Sequence, residues 1–443
     1  MNEDNFNAQN IEPQNTEPQN EAPIITEEPQ TEPPKKKTGL FVGVGSSFLI
    51  ILTIVISVLV TTWMQRSDGG DSGDTTADDD TTSAIVIDDD AEVLGIDDLS
   101  AGTVKTTIGG KTVSYKAKYV VDGVTAVIES GTYESTDDDE VVFLVINGGT
   151  LSLENVEINK SGSETFNGRG DNYSFYGTNS AIVVAGEDSQ AGLTDITINT
   201  SVDGANAVVA TDSGSVIVSN ITINTTKNSS RGLHATYGGT ITGNGGTIST
   251  MGQSCASLAT DRGEGTVKVS GMKLSTEGAG SPLIYSTGNI EVSSSTGTAS
   301  GAQIAVVEGK NSITLNDCDF SANGNGNRGQ VDNAAVMIYQ SMSGDAAEGA
   351  GSFRATDTKM TVLSSSSVYE TTPLFFVTNT TANIELENVK ASFYEDGYFI
   401  LAAGTTEWGK SGKNGGIVTI DAVNLEATNT EIGVDEISKV NGL

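Results

Sequence analysis

Three side chains at matching places in a repeated sequence pattern are the first candidates for chemistry, namely Asp212, Tyr237 and Asp261. Each follows a short apolar run, and Arg231 and Arg262 lie close to them in sequence. If the repeats stack at the ~4.8 Å spacing of strands in a sheet, an aromatic ring lies between two carboxylates. Such a row suits a sugar, because the ring takes its apolar face and the carboxylates take its hydroxyl groups. The five residues form one predicted ligand site; the alternative is that Asp and Tyr are merely tolerated at exposed corners.

A second candidate is a set of three aromatic residues, Tyr173, Phe175 and Tyr176, within an insertion at residues 160–179. Three aromatic rings in one inserted loop predict a ligand platform. The same rings could equally pack the loop against the body of the protein, and the sequence leaves both alternatives open.

The only histidine, His234, aligns with Val209 and Leu258 in the repeat. Because both of these residues are apolar, the alignment predicts a structural histidine in or near the core. A serine triad is not indicated, since the sequence contains no G-x-S-x-G motif. We therefore predict no catalytic residues.

A short sequence pattern that repeats along residues 206–324 must position these side chains. Counted at residues 210, 235, 259, 285 and 307, it repeats at steps of 25, 24, 26 and 22 residues. Each unit contains two or three β-branched runs separated by Gly, Ser, Asn or Asp, without helical periodicity. Such a unit suits one turn of a coil, which buries its apolar side chains only by stacking on its neighbours. The pattern predicts an all-β fold, a right-handed parallel β-helix (solenoid) over residues 101–443.

Composition limits the classes of partner. The 443 residues include 52 glycines, 18% are charged, and the net charge is −35. Nucleic acid and acidic lipid are poor partners for this charge, since both are bound by positive surfaces. The two cysteines, Cys255 and Cys318, fall at different places in their repeats and are predicted to be buried and unpaired. No cofactor is predicted; calcium stays open, although the aspartate runs at 78–80 and 88–90 lack the spacing of a calcium loop.

The first 100 residues predict three further segments. Residues 1–37, rich in Pro, Gln and Glu, predict a disordered cytoplasmic tail. Residues 38–65 predict an uncleaved signal-anchor helix, because the run 40–64 makes a helix of about 37 Å and the hydrocarbon core is ~30 Å thick. Three lysines precede this run and a single arginine follows it, which places the N-terminus in the cytoplasm. Residues 66–100 predict an acidic, extended extracellular linker.

The units GLHATYGGTITGNGGTIST (232–250) and ATDRGEGTVKVSGMKLST (259–276) resemble those of adhesin-like and pectate-lyase-like right-handed parallel β-helix surface proteins of bacteria. The resemblance covers about 120–430 and is one of repeat style. It implies an adhesive or carbohydrate-binding protein, or else a polysaccharide lyase or glycoside hydrolase. Hydrolases of this fold carry Asn-Thr-Asp, Gly-His-Gly and Arg-Ile-Lys motifs, and the sequence has none of them, which argues against catalysis.

The sequence thus predicts a single-pass protein of the bacterial cell membrane with its C-terminal domain outside the cell. We expect this domain to be an adhesin or a carbohydrate-binding module for an extracellular polysaccharide or a host or cell-surface ligand. A lyase or hydrolase and a passive structural stalk are the alternatives.

Overall fold

The computed structural model describes residues 85, 87, 91–165, 170–323, 334–341, 346–363, 373–393, 397–404 and 415–442. The predicted cytoplasmic tail, the predicted transmembrane helix and most of the predicted linker lie outside these residues. The end of the predicted linker belongs to the solenoid instead, because Val93–Leu94 pairs with Thr125–Ile128 and Leu99 packs against the core. Within the described ranges, no helix is long and apolar enough to cross a membrane.

Two long sheets with almost entirely parallel strand pairs make up the described part of the chain. The larger sheet has 21 strands and the smaller sheet has 13. One hairpin, in which Gly102–Ile108 runs antiparallel to Lys111–Asp122, lies at the N-terminal end of the smaller sheet. The described residues therefore form an all-β parallel solenoid, as the repeat predicted.

The strands of the larger sheet are Val93–Leu94, Thr125–Ile128, Gly131–Ser135, Thr150–Glu154, Val156–Lys160, Gln190–Thr194, Thr197–Thr200, Ser215–Thr225, Gly239–Thr250, Gly265–Thr276, Asn289–Ser293, Thr296–Ala299, Ser312–Asn316, Asp319–Ala322, Ala350–Thr356, Lys359–Val362, Thr381–Glu387, Lys390–Phe393, Ile417–Val423, Glu426–Ala427 and Lys439–Gly442. Those of the smaller sheet are Gly102–Ile108, Lys111–Asp122, Glu140–Ile146, Ile182–Ala185, Val208–Thr211, Leu233–Ala235, Leu258–Thr260, Ile284–Ser286, Ala305–Glu308, Val336–Tyr339, Phe375–Thr378, Ile400–Ala402 and Ile432–Val434. Helical structure in the described residues is confined to helix α1 (Asp171–Tyr176) and one 3-10 turn (Ile96–Asp98).

One coil illustrates the path of the chain. Val208–Thr211 lies in the smaller sheet, and Ser215–Thr225 follows in the larger sheet. The two halves of Ser215–Thr225 pair with two different strands of the preceding coil, Gln190–Thr194 and Thr197–Thr200. The chain then returns to the smaller sheet at Leu233–Ala235, which pairs with Val208–Thr211. A coil therefore has three sides, one in the smaller sheet and two in the larger sheet.

The interior of the solenoid holds columns of apolar side chains, one from each coil. Val208, Leu233 and Leu258 pair in register, and all three are fully buried. Burial of an aliphatic side chain of this size contributes about 1.5–3 kcal/mol, and each coil obtains it only from its neighbours. Cys255 and Cys318 are also buried and are not joined in a disulfide, which confirms the sequence prediction.

The corner between the two sides in the larger sheet is formed by a residue in the left-handed conformation. Asn and Asp residues take it with φ between 50° and 54° at Asn155, Asp195, Asn220, Asp317, Asp357, Asn388 and Asn424. These side chains bond from coil to coil: Asn220 Nδ2 donates to Asp195 Oδ1 at 2.5 Å, and Asn424 Nδ2 donates to Asn388 Oδ1 at 2.9 Å. Asn and Asp tolerate this conformation because their short polar side chains hydrogen-bond locally.

Candidate functional site

The outward-facing side of the smaller sheet, here called the outer face, is covered by other parts of the chain. Its central column consists of residues that pair in register, namely Val183, Val209, His234, Ala259 and Tyr285. The first four are fully buried, and Tyr285 is half-buried. The ligand residues predicted from the sequence lie on this face, at the corner beside it, or in the segment that covers it.

Two of the three aromatic residues of the insertion, Phe175 and Tyr176, cover the outer face. Tyr176 stacks on Tyr237, with ring centroids 5.5 Å apart and planes 12° apart, and their hydroxyl oxygens are 3.3 Å apart. The Arg262 guanidinium lies 4.0 Å from the centroid of the Phe175 ring. Thr236 Oγ1 donates to the Phe175 carbonyl at 2.8 Å, which fixes helix α1 to the coil.

These contacts decide between the two alternatives for the insertion. Tyr173 and Tyr176 are buried, and Phe175 is only 9% exposed. The Tyr173 hydroxyl bonds the Asp139 carboxylate, and Asn206 Nδ2 donates to the Tyr173 carbonyl at 3.1 Å. The rings therefore pack the loop against the body of the protein, which is the second of the two alternatives.

The predicted row of Asp212, Tyr237 and Asp261 is wrong by one residue at its third member. Ala235 pairs with Thr260, so Asp261 occupies the position equivalent to Thr236 and not the one equivalent to Tyr237. Tyr237 N accordingly donates to the Arg262 carbonyl. The cause is the register of the preceding strand, because Ala235 pairs with Thr260, 25 residues further on, whereas the repeat alignment matched it with Ala259, 24 residues further on. His234 likewise pairs with Ala259 and not with Leu258.

Asp212 and Tyr237 do occupy matching corner positions. Both have positive φ, 52° and 47° respectively, and both are half-buried. Burial raises the pKa of the Asp212 carboxyl. The Tyr237 ring packs tightly on Gly109 and Gly263, where an added Cβ would lie 2.3 Å and 2.4 Å from ring atoms. Tyr237 thus joins helix α1, the first hairpin and the next coil.

Asp261 lies in a buried ionic cluster on the outer face. Arg231 Nη2 is 3.2 Å from Asp261 Oδ2, and the two side chains are 12% and 6% exposed. His234 Nε2 is 3.7 Å from the same oxygen, which is beyond hydrogen-bond distance. Both ring nitrogens of His234 and Arg231 Nη1 are buried without a hydrogen-bond partner. Burial lowers the pKa of His234 to about 4, so the imidazole is neutral at pH 7.

A second buried cluster, not found from the sequence, lies further along the same face. Glu308 Oε2 accepts hydrogen bonds from the Tyr285 hydroxyl at 2.5 Å and the Tyr339 hydroxyl at 2.9 Å. Ser341 donates to Glu308 Oε1. Burial raises the pKa of the Glu308 carboxyl, although the three hydroxyl donors act in the opposite direction. The only sequence signal was an acid at the end of the apolar run Ala305–Glu308.

The two clusters hold the ionisable groups that could serve an enzyme, but they are poorly placed to act on a polymer. Asp261, His234 and Glu308 are each at most 4% exposed. Asp212 and Asp261 do not converge with an arginine on one point, since only Asp261 contacts Arg231. In the part of the chain that the structure describes, no group of three or more His, Cys, Asp or Glu side chains could hold a metal ion.

An open groove lies beside the outer face, at the corner where the chain passes from the smaller to the larger sheet. This corner groove has a volume of about 380 Å³. Its lining comes from four successive coils: Gly238, Glu264, Gly265, Thr266, Gly288, Asn289, Lys310, Asn311 and Ser312. The volume is within the range of small-ligand sites.

Two backbone segments approach closely at the floor of the corner groove, and glycine makes this possible. A Cβ on Gly288 would lie 2.3 Å from the Gly265 carbonyl oxygen, and one on Gly265 would lie 2.8 Å from the Ala235 carbonyl oxygen. Side chains are thus excluded from the floor. The concave shape follows from this close stacking of successive corners.

Polar side chains form the walls of the corner groove. On one wall, Thr266, Asn289 and Ser312 pair in register, and Ser312 Oγ donates to Asn289 Oδ1 at 2.5 Å. On the other wall, Lys310 Nζ lies 2.8 Å from Glu264 Oε1, and about half of each side chain is exposed. The groove therefore offers hydroxyl, amide and charged groups to a ligand in solvent.

None of the eight predicted ligand residues lines the corner groove, although Tyr237 directly precedes Gly238. Sequence reasoning missed Asn289, Lys310 and Ser312. The available signal was a glycine at the same corner of successive repeats, each followed by a polar residue.

Comparisons with protein-family models, curated proteins and solved structures found no match to this chain.

Proposed function

We propose that this chain is a bacterial surface protein whose solenoid, a right-handed parallel β-helix, binds an extracellular polysaccharide in the corner groove. In this proposal, residues 38–65 anchor the protein in the cell membrane and residues 1–37 remain in the cytoplasm. The acidic segment between the anchor and the solenoid acts as a spacer. The observation that carries the proposal is the corner groove, which combines a glycine floor with walls of small polar side chains.

Binding without cleavage is favoured over catalysis by the charged groups of the groove. Glycoside hydrolysis by the common mechanism needs a pair of carboxylates, and Glu264 is the only carboxylate among the lining residues. Glu264 is moreover paired with Lys310. The buried carboxylates of Asp261 and Glu308 are held by partners within the protein.

The binding test uses the full chain, purified in detergent, and a panel of plant, bacterial and animal polysaccharides. Size-exclusion chromatography follows the size of the polymer and the position of the protein together. We expect an intact polymer that carries the protein to an earlier elution volume. A shortened polymer would indicate a lyase or hydrolase, and no shift with any polymer would contradict carbohydrate binding.

Matched variants connect binding to the corner groove. Ser312→Trp places a large ring on the wall and should abolish the shift. Ser352→Trp is the control, because Ser352 pairs with Ser312 in the same row but lies outside the groove. Both serines are half-buried on an outward-facing row, so the two substitutions make similar demands on the fold.

The anchor is tested separately in intact bacterial cells that produce the chain with an epitope tag at each end. External protease should remove the C-terminal tag and spare the N-terminal tag. Protection of both tags would contradict the surface location, and release of the whole chain by a high-salt wash would contradict the anchor.

A further inference from the structure

The ion pair between Glu264 and Lys310 bears on which polysaccharide the corner groove accepts. The pair spans one wall of the groove, with Nζ and Oε1 2.8 Å apart and both side chains about half exposed. Among the lining residues, Lys310 is the only base and Glu264 the only acid. The lining therefore carries no net charge.

From this we infer, on the basis of the proposed function, that the groove selects an uncharged polysaccharide and that Glu264 is the residue that excludes acidic ones. The Lys310 ammonium group is the only lining cation that could bind a uronate carboxylate. The Glu264 carboxylate is already paired with this ammonium group. A second carboxylate at the same place would be repelled by the Glu264 carboxylate at short range. An acidic polymer must therefore displace Glu264 to bind.

The charge of the whole protein acts in the same direction. A net charge of −35 repels a polyanion over distances of about one Debye length, roughly 8–10 Å at moderate salt. A neutral polymer does not experience this repulsion. Its hydroxyl groups can instead hydrogen-bond to the Thr266 and Ser312 hydroxyls and to the Asn289 amide, which offer both donors and acceptors.

The register of the wall also sets the direction of the polymer. Thr266, Asn289 and Ser312 come from successive coils and recur at about 4.8 Å along the solenoid axis. Four coils line the groove, which gives it a length of about 14 Å in that direction. An extended neutral chain parallel to the axis would meet one wall side chain in each of three successive coils, and a chain across the axis would meet only one.

The test compares a neutral galactomannan with polygalacturonate as the polyanion, again with the full chain in detergent. The affinity of each polymer is measured by retardation in affinity electrophoresis at about 50 mM and about 500 mM NaCl, which span strong and weak screening. We expect retardation by galactomannan that changes less than about twofold with salt, and no retardation by polygalacturonate at low salt.

Glu264→Gln isolates the role of the carboxylate. It keeps the shape of the side chain and leaves Lys310 without its charged partner, so polygalacturonate affinity at low salt should rise at least about tenfold. Glu385→Gln is the matched control, because it removes the same charge from an exposed pair with Arg354 that is outside the groove. This control should leave the affinity for both polymers unchanged.

The outcomes separate the inference from the proposed function. Galactomannan binding that Ser312→Trp abolishes, together with the gain of polygalacturonate binding in Glu264→Gln, supports both. Polygalacturonate binding by the unaltered chain that Ser312→Trp abolishes overturns the inference and keeps the proposed groove. Equal gains in Glu264→Gln and Glu385→Gln also overturn the inference, since overall charge would then explain them. Binding of either polymer that Ser312→Trp does not affect contradicts the groove itself.

Discussion

Arg231 and Asp261 belong to successive coils, and their side chains form an ion pair of 3.2 Å that is almost completely removed from solvent. Such a pair costs desolvation energy, yet loss of one partner leaves the other charge buried and unpaired. Asp261→Asn should therefore reduce the free energy of unfolding by about 3–5 kcal/mol. The measurement is the guanidinium chloride midpoint followed by circular dichroism.

An exposed ion pair provides the control for this prediction. Lys268 and Glu291 also come from successive coils, but their side chains are 64% and 41% exposed. Glu291→Gln should cost at most about 1 kcal/mol. Equal midpoints for Asp261→Asn and Glu291→Gln would show that Arg231 and Asp261 do not act as a buried pair.

His234 makes the stability of the solenoid depend on pH. Burial lowers its pKa to about 4 from 6.5, so the unfolded chain binds the proton more tightly. The stability that the neutral imidazole provides is complete above pH 6.5 and is lost as the pH falls through 4. At 1.36 kcal/mol per pKa unit the loss is about 3 kcal/mol.

The comparison with His234→Val isolates this effect, because Val209 occupies the same column in the preceding coil. The difference in unfolding free energy between wild type and variant should shrink or reverse between pH 6.5 and pH 4. Asp261 and Arg231, the charged groups beside the imidazole, are present in both proteins. Glu308, whose raised pKa has the opposite effect on stability, is also present in both. A difference that is independent of pH would contradict the assigned titration.

The solenoid could be predicted from the sequence because its signal is repeated in every coil. Val208, Leu233 and Leu258 are apolar at the same place in successive repeats, and stacking is the only arrangement that buries all of them. The β-branched runs likewise predicted strands, and the run 215–225 is the strand Ser215–Thr225. Handedness and the membrane anchor remain predictions.

The predicted site was less accurate because side chains alternate between the two sides of a strand. A slip of one residue moves a side chain from one side to the other. Matching Ala235 with Ala259 instead of its partner Thr260 was enough to assign Asp261 to a predicted exposed row rather than to the buried cluster with Arg231. The corner groove depends on backbone approach at Gly265 and Gly288, which becomes apparent only when the coils are stacked.

The Asn and Asp residues at the corner between the two sides in the larger sheet give a third prediction. Asn220 has a φ of 50° and donates to Asp195, and Gly245 holds the same corner in the next coil. Asn220→Val should cost about 1–2 kcal/mol or more, because a β-branched residue is strained in this conformation and the hydrogen bond is lost. Asn220→Gly loses the hydrogen bond without the strain and should be clearly milder. If the two variants have the same thermal midpoint, backbone strain does not govern this corner.

The contact between Tyr237 and Tyr176 gives the last prediction, which decides whether Tyr237 serves the fold or a ligand. Tyr237→Ala removes the stacked ring that joins helix α1 to the coil, and it should cost about 2–3 kcal/mol, less than a fully buried ring. Helix α1 (Asp171–Tyr176) should then become sensitive to brief digestion with chymotrypsin, which cleaves after Tyr and Phe. Tyr237→Phe keeps the stacking and should remain resistant. If Tyr237→Ala leaves digestion and stability unchanged but abolishes polysaccharide binding, Tyr237 is a ligand residue, as the repeat pattern suggested, and its contact with Tyr176 is incidental.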